Sequence, residues 1–390
     1  MIFFSHLAFD LLAITTLASI LYLCIAICCM WRFRHRAASR PGQHRPPVTI
    51  LKPVCGIDYD SYENLRSFCC QDYEHCQVVF GVRDHDDPVI HVIRRLIEAH
   101  PERDISVVVD DRIIGANLKI ANLANMYRVA KHDILIIADS DIHVGPDYVE
   151  SVVSAFEGRN VGVVTCLYRA RTADGLASKL SGLSINEWFL PSALVAVALQ
   201  GLRFCFGSTM AVRRDVLESV GGFERLAAYL ADDHMLGKLA IQRGYRIRLS
   251  TYVVENVVYE RSLHTLFDHE LRWARTIRSI QPVGHAFSFT TYAVTLALLT
   301  ALLAVPLDGS AVLGLGLLLV AFLMRYAMHR IACGALGLSS PFSPSLVVMR
   351  DVLSAAVWLV SLFGSRVRWK GWTMAVGPNG HLLPKKAPST

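Results

Sequence analysis

The 390-residue sequence predicts an α/β protein with a mainly parallel sheet, held at a membrane by helices at both ends. Between residues 48 and 168, β-branched apolar runs alternate with helical patterns, which is typical of a parallel sheet covered on both faces. In addition, 53% of the residues are hydrophobic and the mean hydropathy is +0.37, which is high for a soluble protein. We therefore expect membrane-spanning segments outside the α/β region.

The N-terminal segment has the pattern of a membrane anchor. Residues 11–30 are uncharged and apolar over a length that spans a bilayer, and residues 31–45 then contain five arginines and no acid. We predict an anchor over 1–31 and a basic cytoplasmic linker over 32–47. A cleaved signal peptide is the alternative, but the positive charge follows the apolar run and no small-residue cleavage site closes it.

The α/β region is predicted to form one cytoplasmic domain over residues 48–286. Its strand-like runs are 48–54, 76–82, 104–111, 133–139 and 161–168, with further strand signal at 208–213 and 245–254. Helical patterns lie at 60–70, 89–99, 118–131, 147–156 and 262–280. In sheets of this kind, ligands bind beyond the carboxyl ends of the strands, so residues there are the first candidates for a site.

Within that domain, residues 176–204 differ in composition. The block has few charges and a Trp188-Phe189-Leu190 cluster, and Pro191 interrupts it. We predict a pair of helices that lie on the membrane surface or contact lipid. An ordinary buried helix is the alternative, because composition alone does not separate the two.

A second membrane region is predicted over residues 287–365. Residues 287–307 and 309–324 are uncharged runs, and 331–349 and 352–365 are separated only by Arg350 and Asp351. The tail over 366–390 is basic after this region and should be cytoplasmic. An even number of crossings must therefore follow the cytoplasmic domain, so 331–365 either crosses twice as a hairpin or dips in and returns.

Three acidic clusters lie at or beyond predicted strand ends. They contain Asp87, then Asp139 and Asp141, then the adjacent Asp232 and Asp233. An extended chain aims the side chains of Asp139 and Asp141 the same way, and two hard oxygen ligands suit Mg²⁺ or Mn²⁺. Acidic residues at strand ends also form turns and helix caps. Three clusters in a basic protein nevertheless favour a divalent cation and a nucleotide.

Basic and aromatic residues complete the candidate set. Lys119 and Asn122 come early in a predicted helix, where a lysine can contact a phosphate as a point charge. His269, Arg272 and Trp273 share neighbouring faces of the Arg-rich helix and could hold a diphosphate and stack a sugar or base. A solvated lysine and an interfacial Arg-Trp belt are the alternative explanations.

These residues resemble the D, D-x-D, D, Q/R-x-x-R-W signature of family 2-like glycosyltransferases. The segments LKPVCGID, DHDDP and GANLKIANL and the 232–233 acid pair are more similar to glycosyltransferase family 21, the ceramide glucosyltransferases. FGSTMAVRR, YLADDHMLG and HELRW most resemble the bacterial hopanoid glycosyltransferases of that family. The likeness covers about residues 45–285 and both membrane flanks. It differs at His269, where the motif usually has Gln or Arg, and at Leu190, where animal members carry histidine.

The resemblance implies a GT-A-type, Rossmann-like fold and an inverting, metal-dependent transfer. Asp139 and Asp141 would hold Mg²⁺ or Mn²⁺ at the diphosphate of a UDP-sugar. Asp233 would be the general base, with Asp232 as the alternative. The remaining residues would contact the nucleotide sugar or close over it: Asp87, Lys119, Asn122, His269, Arg272 and Trp273.

The resemblance also implies the partners. The donor would be UDP-N-acetylglucosamine and the acceptor a hopanoid polyol, a membrane lipid alcohol, at the inner membrane of a bacterium. Transfer of glucose from UDP-glucose to ceramide is the alternative, followed by a processive polysaccharide synthase and by a non-enzymatic membrane scaffold. No nucleic acid is expected as a partner, and the oligomeric state stays open.

Overall fold

The computed structural model describes residues 2–36, 45–158, 160–307, 310–369 and 372–383. In chain order its strands are β1 (Val48–Pro53), β2 (Cys76–Val82), β3 (Asp104–Val109), β4 (Ile134–Ala138), β5 (Ile142–His143), β6 (Val161–Thr172), β7 (Thr209–Arg213), β8 (Arg246–Val258), β9 (Arg366–Trp369), β10 (Trp372–Val376) and β11 (Leu382–Leu383). The predicted strands of the α/β region are confirmed, with ends displaced by a few residues. The two-residue β5 was not predicted, because two residues are too few to show a period.

The α-helices are α1 (Ile2–Arg34), α2 (Ser61–Cys69), α3 (Val89–Ala99), α4 (Leu118–Tyr127), α5 (Tyr148–Ser154), α6 (Leu176–Leu183), α7 (Leu190–Gln200), α8 (Arg214–Ser219), α9 (Gly222–Leu226), α10 (Asp232–Gln242), α11 (Leu263–Ile280), α12 (Pro282–Phe287), α13 (Ala293–Ala304), α14 (Ala311–Leu336) and α15 (Pro344–Ser361). A π-helical turn, Ser184–Phe189, joins α6 to α7, and 3₁₀ turns lie at Ser288–Thr291 and Pro378–Gly380. The helices predicted around 60–70, 89–99, 118–131, 147–156 and 262–280 are confirmed.

The chain forms two compact units. The helical unit comprises Met1–Arg36, Asp174–Leu199 and Glu260–Asn379, and the sheet unit comprises Ala37–Ala173, Gln200–Tyr259 and Gly380–Thr390. This division differs from the predicted 48–286 domain. It assigns α6, α7 as far as Leu199 and α11 to the helical unit, in which α6, α11 and α15 pack on one another.

The sheet unit is built on an eight-stranded sheet of order β3-β2-β1-β4-β7-β6-β8-β5. Strand β1 pairs in parallel with β2 and β4, β2 with β3, and β6 with β8. Strands β7 and β5 are antiparallel to their neighbours. The sheet is therefore mixed and mostly parallel, as the continuously apolar runs indicated.

Alternate residues of the central strands enter cores on opposite faces of this sheet. On β1, Val48 and Ile50 belong to one buried cluster and Leu51 to the other. On β4, Ile136 and Leu135 divide in the same way. Because both faces are covered, a ligand can approach these strands only at their ends, and the parallel β1, β2 and β4 all lead their following loops to one edge.

The helical unit contains the candidate membrane spans. Among the residues that the structure describes, four helices are long and apolar enough to cross a bilayer, His6–Arg34, Leu176–Gln200, Ala311–Leu336 and Pro344–Ser361. A bent pair, Pro282–Thr291 and Ala293–Ala304, makes a fifth if its two parts form one span. These ranges overlap the N-terminal anchor expected over 1–31 and the membrane region expected over 287–365.

Of the two alternatives left open for 331–365, the structure contradicts the hairpin that crosses twice. Residues up to Leu336 continue α14, and α15 is a single helix of 18 residues. The two charges that divided the apolar runs lie inside the unit, because Arg350 pairs with Glu270 at 2.7 Å and Asp351 pairs with Arg325 at 3.1 Å. Their burial lets one helix continue through a position that looked like a break.

Residues 176–200 form one interrupted helix rather than a separate pair, and two of the three residues of the Trp188-Phe189-Leu190 cluster are buried inside the helical unit. Trp188 is 7% exposed and Leu190 is fully buried. The indole N–H of Trp188 donates to Asp351 Oδ1 at 3.0 Å, and the Arg325 guanidinium lies over its ring. A π-helical turn changes which side chains face inward, and this turn contains Trp188.

Candidate active site

The turn after β4 brings the first predicted metal ligand next to a lysine and to the third acidic cluster. Asp139 follows β4, and the N–H of Ile142 closes the turn by donating to the Asp139 carbonyl at 3.3 Å. The Nζ of Lys119 lies 2.7 Å from Asp139 Oδ1 and 3.5 Å from Asp232 Oδ2. Three residues that were predicted separately therefore form one charged cluster.

Electrostatics decide the protonation of Lys119. Burial by itself would lower the pKa of its ammonium group, but the carboxylates of Asp139 and Asp232 outweigh burial and raise that pKa. The side chain of Lys119 is 14% exposed, whereas that of Asp139 is 38% exposed. Lys119 is therefore a fixed cation whose partner Asp139 opens to solvent.

Asp141 is held on its other side by a residue that the sequence did not indicate. The side-chain amide of Asn256 on β8 donates to Asp141 Oδ2 at 2.9 Å, and the N–H of Val257 donates to the Asp141 carbonyl. Burial raises the pKa of Asp141, and the negative charge of Asp139 adds to the increase. No motif marks Asn256, because β5 alone brings it opposite the acidic turn.

The adjacent acids at the start of α10 have different surroundings. Asp232 is 6% exposed and pairs with Lys119, and the amide of Asn117 reaches its Oδ1 at 3.5 Å. Asp233 Oδ1 accepts the N–H of His234 at 2.7 Å. Burial and the neighbouring Asp232 raise the pKa of Asp233 to about 7. A carboxylate with a pKa near neutrality is suited to accept a proton in catalysis.

Gly207 leaves room for Asp233. A Cβ at position 207 would lie 3.2 Å from Asp233 Oδ2, closer than most real Cβ contacts. A larger residue there would therefore push against the carboxylate. The sequence motif FGSTMAVRR contains this glycine, but its role depends on a close approach that only the folded chain shows.

Asp87 joins two loops of the same sheet edge. Its Oδ2 accepts the N–H of Gly56, in the loop after β1, at 2.7 Å, and its Oδ1 accepts the N–H of Val89 at 2.9 Å. Asp58, in the loop after β1, accepts at its Oδ2 the hydroxyl of Ser140 from the acidic turn at 3.1 Å. Asp87 thus fixes the backbone beside the acidic turn, and its contact with a nucleotide stays a prediction.

The two asparagines in GANLKIANL make different contacts, and the nucleotide-sugar contact of Asn122 stays a prediction. The side chain of Asn122 is 4% exposed and donates to the Gly81 carbonyl at 2.8 Å, which supports strand β2. Asn117 instead caps α4, donates to the Tyr229 carbonyl at 2.8 Å and reaches Asp232. The N-cap position before an apolar helix was the available signal for Asn117.

The remaining predicted residues lie in the helical unit, on α11. Nδ1 of His269 is 2.8 Å from Glu260 Oε1, and its ring centroid is 4.4 Å from that of Trp273. Arg272 lies between them on the same helix. These three side chains therefore form a local group, and their contact with a diphosphate or sugar stays a prediction.

The residues at the sheet edge fit a divalent cation that shares its coordination with a substrate. Asp139 and Asp141 provide two hard oxygen ligands, and a bound cation would oppose the pKa increase that burial and then the Asp139 charge cause at Asp141. Within the described ranges, no group of three or more His, Cys, Asp or Glu residues is arranged as a complete metal site. Magnesium sites commonly use one or two carboxylates together with water and phosphate oxygens.

The fold has a counterpart among solved structures. The mannosyltransferase PcManGT from Pyrobaculum calidifontis, in complex with GDP-Man and Mn²⁺, has a TM-score of 0.53 to this chain. The likeness covers 91% of this chain and 99% of that one at 19% identity, so it concerns the fold, which is of the GT-A type. Residues 11–382 match the model of glycosyl transferase family 21. The chain belongs to this family.

Two relatives come from Caenorhabditis elegans. Ceramide glucosyltransferase 1 is 25% identical over 280 residues, which are 70% of this chain and 59% of the relative. Ceramide glucosyltransferase 3 is 22% identical over 373 residues, 91% of this chain and 78% of the relative. The chain thus spans less than two thirds of the length of the first relative.

Proposed function

We propose that the protein is a membrane-bound inverting glycosyltransferase that moves a sugar from a UDP-sugar to the hydroxyl of a membrane lipid. The observation that carries this proposal is the cluster of Lys119, Asp139, Asp232 and Asp233 at the carboxyl edge of the sheet. It combines a cation for phosphate, a carboxylate open to solvent and a carboxyl group with a pKa near 7. The family membership and the candidate spans support a lipid acceptor.

Asp139 and Asp141 are the proposed ligands of Mg²⁺ or Mn²⁺. A bound divalent ion would supply neutralisation of the charge on the departing diphosphate. The mannosyltransferase with the same fold was solved with Mn²⁺, which is consistent with this assignment. Lys119 contributes a second positive charge beside the same turn, and it would contact the diphosphate or the uridine.

Asp233 is the proposed general base. It takes the proton of the acceptor hydroxyl as that oxygen forms a bond to C1 of the donor sugar. The bond from C1 to the diphosphate oxygen breaks at the same time, and UDP leaves with the electron pair, so the anomeric configuration inverts. Asp232 was the alternative base, but it is already engaged by Lys119 and Asn117, which favours a positioning role.

The other site residues are proposed to hold the nucleotide sugar. Asp87 organises the loop after β1 and would meet the uridine side, and Asn122 supports the same edge through Gly81. His269, Arg272 and Trp273 would contact the diphosphate and the acceptor. Each of these roles follows from the family signature.

We propose UDP-N-acetylglucosamine as donor and a hopanoid polyol as acceptor, in the bacterial inner membrane with the catalytic part in the cytoplasm. The motifs FGSTMAVRR, YLADDHMLG and HELRW support this choice. The second candidate is glucose transfer from UDP-glucose to ceramide, which is favoured by the names of the two nematode relatives.

Mass spectrometry of lipids would test both candidates. Purified protein is incubated with Mg²⁺ or Mn²⁺, with either UDP-sugar, and with a hopanoid polyol and ceramide together. An N-acetylhexosamine on the hopanoid that is absent in Asp233→Asn is the expected result. Hexose on ceramide would replace the proposed donor and acceptor and keep the mechanism. A ladder of polymer would indicate a polysaccharide synthase. No product with any acceptor would contradict the proposal.

A further inference from the structure

Lys52 is a lysine inside the protein core. It is the fifth residue of β1, on the face that carries Val48 and Ile50, and it is fully buried. Its Nζ lies 3.7 Å from the centroid of the Phe68 ring. An amine at such a depth is costly unless it is hydrogen-bonded, so its partners identify its role.

Those partners are the two ends of the acidic turn. Nζ of Lys52 donates to the Asp139 carbonyl at 2.6 Å and to the Ile142 carbonyl at 3.3 Å. The same Asp139 carbonyl accepts the N–H of Ile142 that closes the turn. One side chain therefore joins the first and last residues of the segment that carries both proposed metal ligands.

Lys52 differs from Lys119 in what it can reach. Lys119 binds the carboxylate of Asp139, which is partly open to solvent. The hydrogen bonds of Lys52 instead go to two backbone oxygens, from the buried side of the turn. Because Lys52 is completely buried, it has no route to a substrate. Any contribution to the reaction must pass through the backbone of the turn.

We propose that Lys52 is a positioning residue that holds the Asp139–Ile142 turn in the conformation that binds the metal. The proposal rests on the assignment of Asp139 and Asp141 as metal ligands under the proposed function. Removing Lys52 leaves two buried carbonyls without this donor and frees the carboxylates to move apart. Residues that orient metal ligands commonly affect metal affinity by about 10- to 100-fold.

The test compares Lys52→Met with a matched control on the same strand. Thr49→Val also removes a fully buried polar group from β1, but the Thr49 hydroxyl bonds Gln77 and the N–H of His132 instead of the acidic turn. Mn²⁺ affinity is measured by electron paramagnetic resonance of free Mn²⁺. Amide hydrogen exchange of Ile142 is measured without metal.

For Lys52→Met we expect Mn²⁺ binding weakened about 10- to 100-fold and faster exchange at Ile142. Thr49→Val should lower the melting temperature while leaving both readouts at the wild-type value. Lys52→Gln, whose side chain is one atom shorter and keeps an N–H donor, should be intermediate. It also carries the comparison if Lys52→Met does not fold.

Wild-type exchange and wild-type Mn²⁺ affinity in a folded Lys52 variant would overturn the proposal. Equal changes in Thr49→Val would also overturn it, because they would show a general loss of core stability. If the wild-type protein binds no Mn²⁺, the metal assignment of the proposed function fails. The exchange rate at Ile142 then still decides whether Lys52 holds the turn.

Discussion

At the scale of single residues, the adjacent Asp232 and Asp233 differ in their chemistry because their surroundings differ. Asp232 is engaged by Lys119 and Asn117, whereas Asp233 lies beside Gly207 with a pKa raised to about 7. Nothing in the Asp-Asp dipeptide distinguishes the two positions. The difference arises because α10 begins at this point and aims the two side chains differently.

We expect Asp233→Asn to lower the rate of lipid glycosylation about 10²- to 10⁴-fold, the usual contribution of a general base. Affinity for the UDP-sugar should change little, because the amide keeps the size of the carboxylate. Single-turnover kinetics and donor binding by calorimetry check this. A variant that retains its rate, or that loses donor binding in parallel, would remove Asp233 from the role of base.

The pH dependence follows from the sign of the same pKa. Asp233 accepts a proton only when ionised, and its pKa is raised by burial and by Asp232 to about 7. We therefore expect kcat/KM to increase with pH up to about 7 and then to level off. The Asp232→Asn variant lacks one of the causes that raise the pKa of Asp233. The rising part of the kcat/KM profile should therefore move to lower pH in that variant. An unchanged profile in that variant would contradict the assignment.

At the scale of elements, buried charges hold helices of the helical unit together. Arg350 of α15 forms two bonds of 2.7 Å to the carboxylate of Glu270 on α11, and it also bonds the Leu180 carbonyl and the Ser354 hydroxyl. The position of α15 against α11 therefore depends on a charge pair, and the sequence analysis had placed one of its members, Arg350, between two apolar runs.

We expect Glu270→Gln to destabilise the protein by about 3–5 kcal/mol, because the Arg350 guanidinium would remain buried without its counter-charge. Asp268→Asn is the control on the same helix, since the Asp268–His264 pair has side chains 43% and 82% exposed. Such pairs contribute about 0–1 kcal/mol. Thermal unfolding in detergent compares the two variants, and equal melting temperatures would refute the buried pair as a stabilising contact.

The C-terminal segment supports the loop before the acid pair. The N–H of Leu230 donates to the Gly380 carbonyl at 2.9 Å, and the N–H of Leu382 donates to the Ala228 carbonyl at 2.8 Å. His381 packs its ring against Tyr229. This contact ties the end of the chain to the residues that lead into Asp232.

A chain ending at Asn379 should therefore lose about 10- to 100-fold in kcat with little change in KM for the donor, since small displacements of a catalytic group have effects of this size. A chain ending at Leu383 keeps every one of these bonds and serves as control. Steady-state kinetics on both chains provide the measurement. Equal activity would show that the segment does not position the acid pair.

At the scale of the whole molecule, charge placement predicts which side of the membrane each segment faces. The arginines of 31–45 and the basic tail should be cytoplasmic, and the connection between α13 and α14 should lie on the opposite side. Cys55 is an exposed cysteine of the sheet unit, and Ser310 lies at the start of α14. These two positions report the two sides.

In intact cells, a membrane-impermeant maleimide should label Ser310→Cys and should leave Cys55 unlabelled until the membrane is permeabilised. The comparison uses Cys55→Ser to identify the signal from that residue. Labelling of Cys55 in intact cells would invert the predicted orientation. It would also place the proposed donor site away from cytoplasmic UDP-sugars.

The sequence by itself determined the strands and helices of the α/β region, the apolar flanks and the acids at the sheet edge. These features depend on neighbours along the chain, because periodicity decides which face is buried and parallel strands end at one edge. Asp87, Asp139 and Asp232 could be placed at that edge before any contact was known.

Only the tertiary structure decided which side chains meet across the chain. It placed Asn117 beside Asp232, revealed Lys52 beneath the acidic turn, and made Trp188 a hydrogen-bond partner of Asp351. Each of these outcomes joins residues far apart in sequence. A buried polar group must find a partner wherever packing places one, and no local pattern encodes that partner.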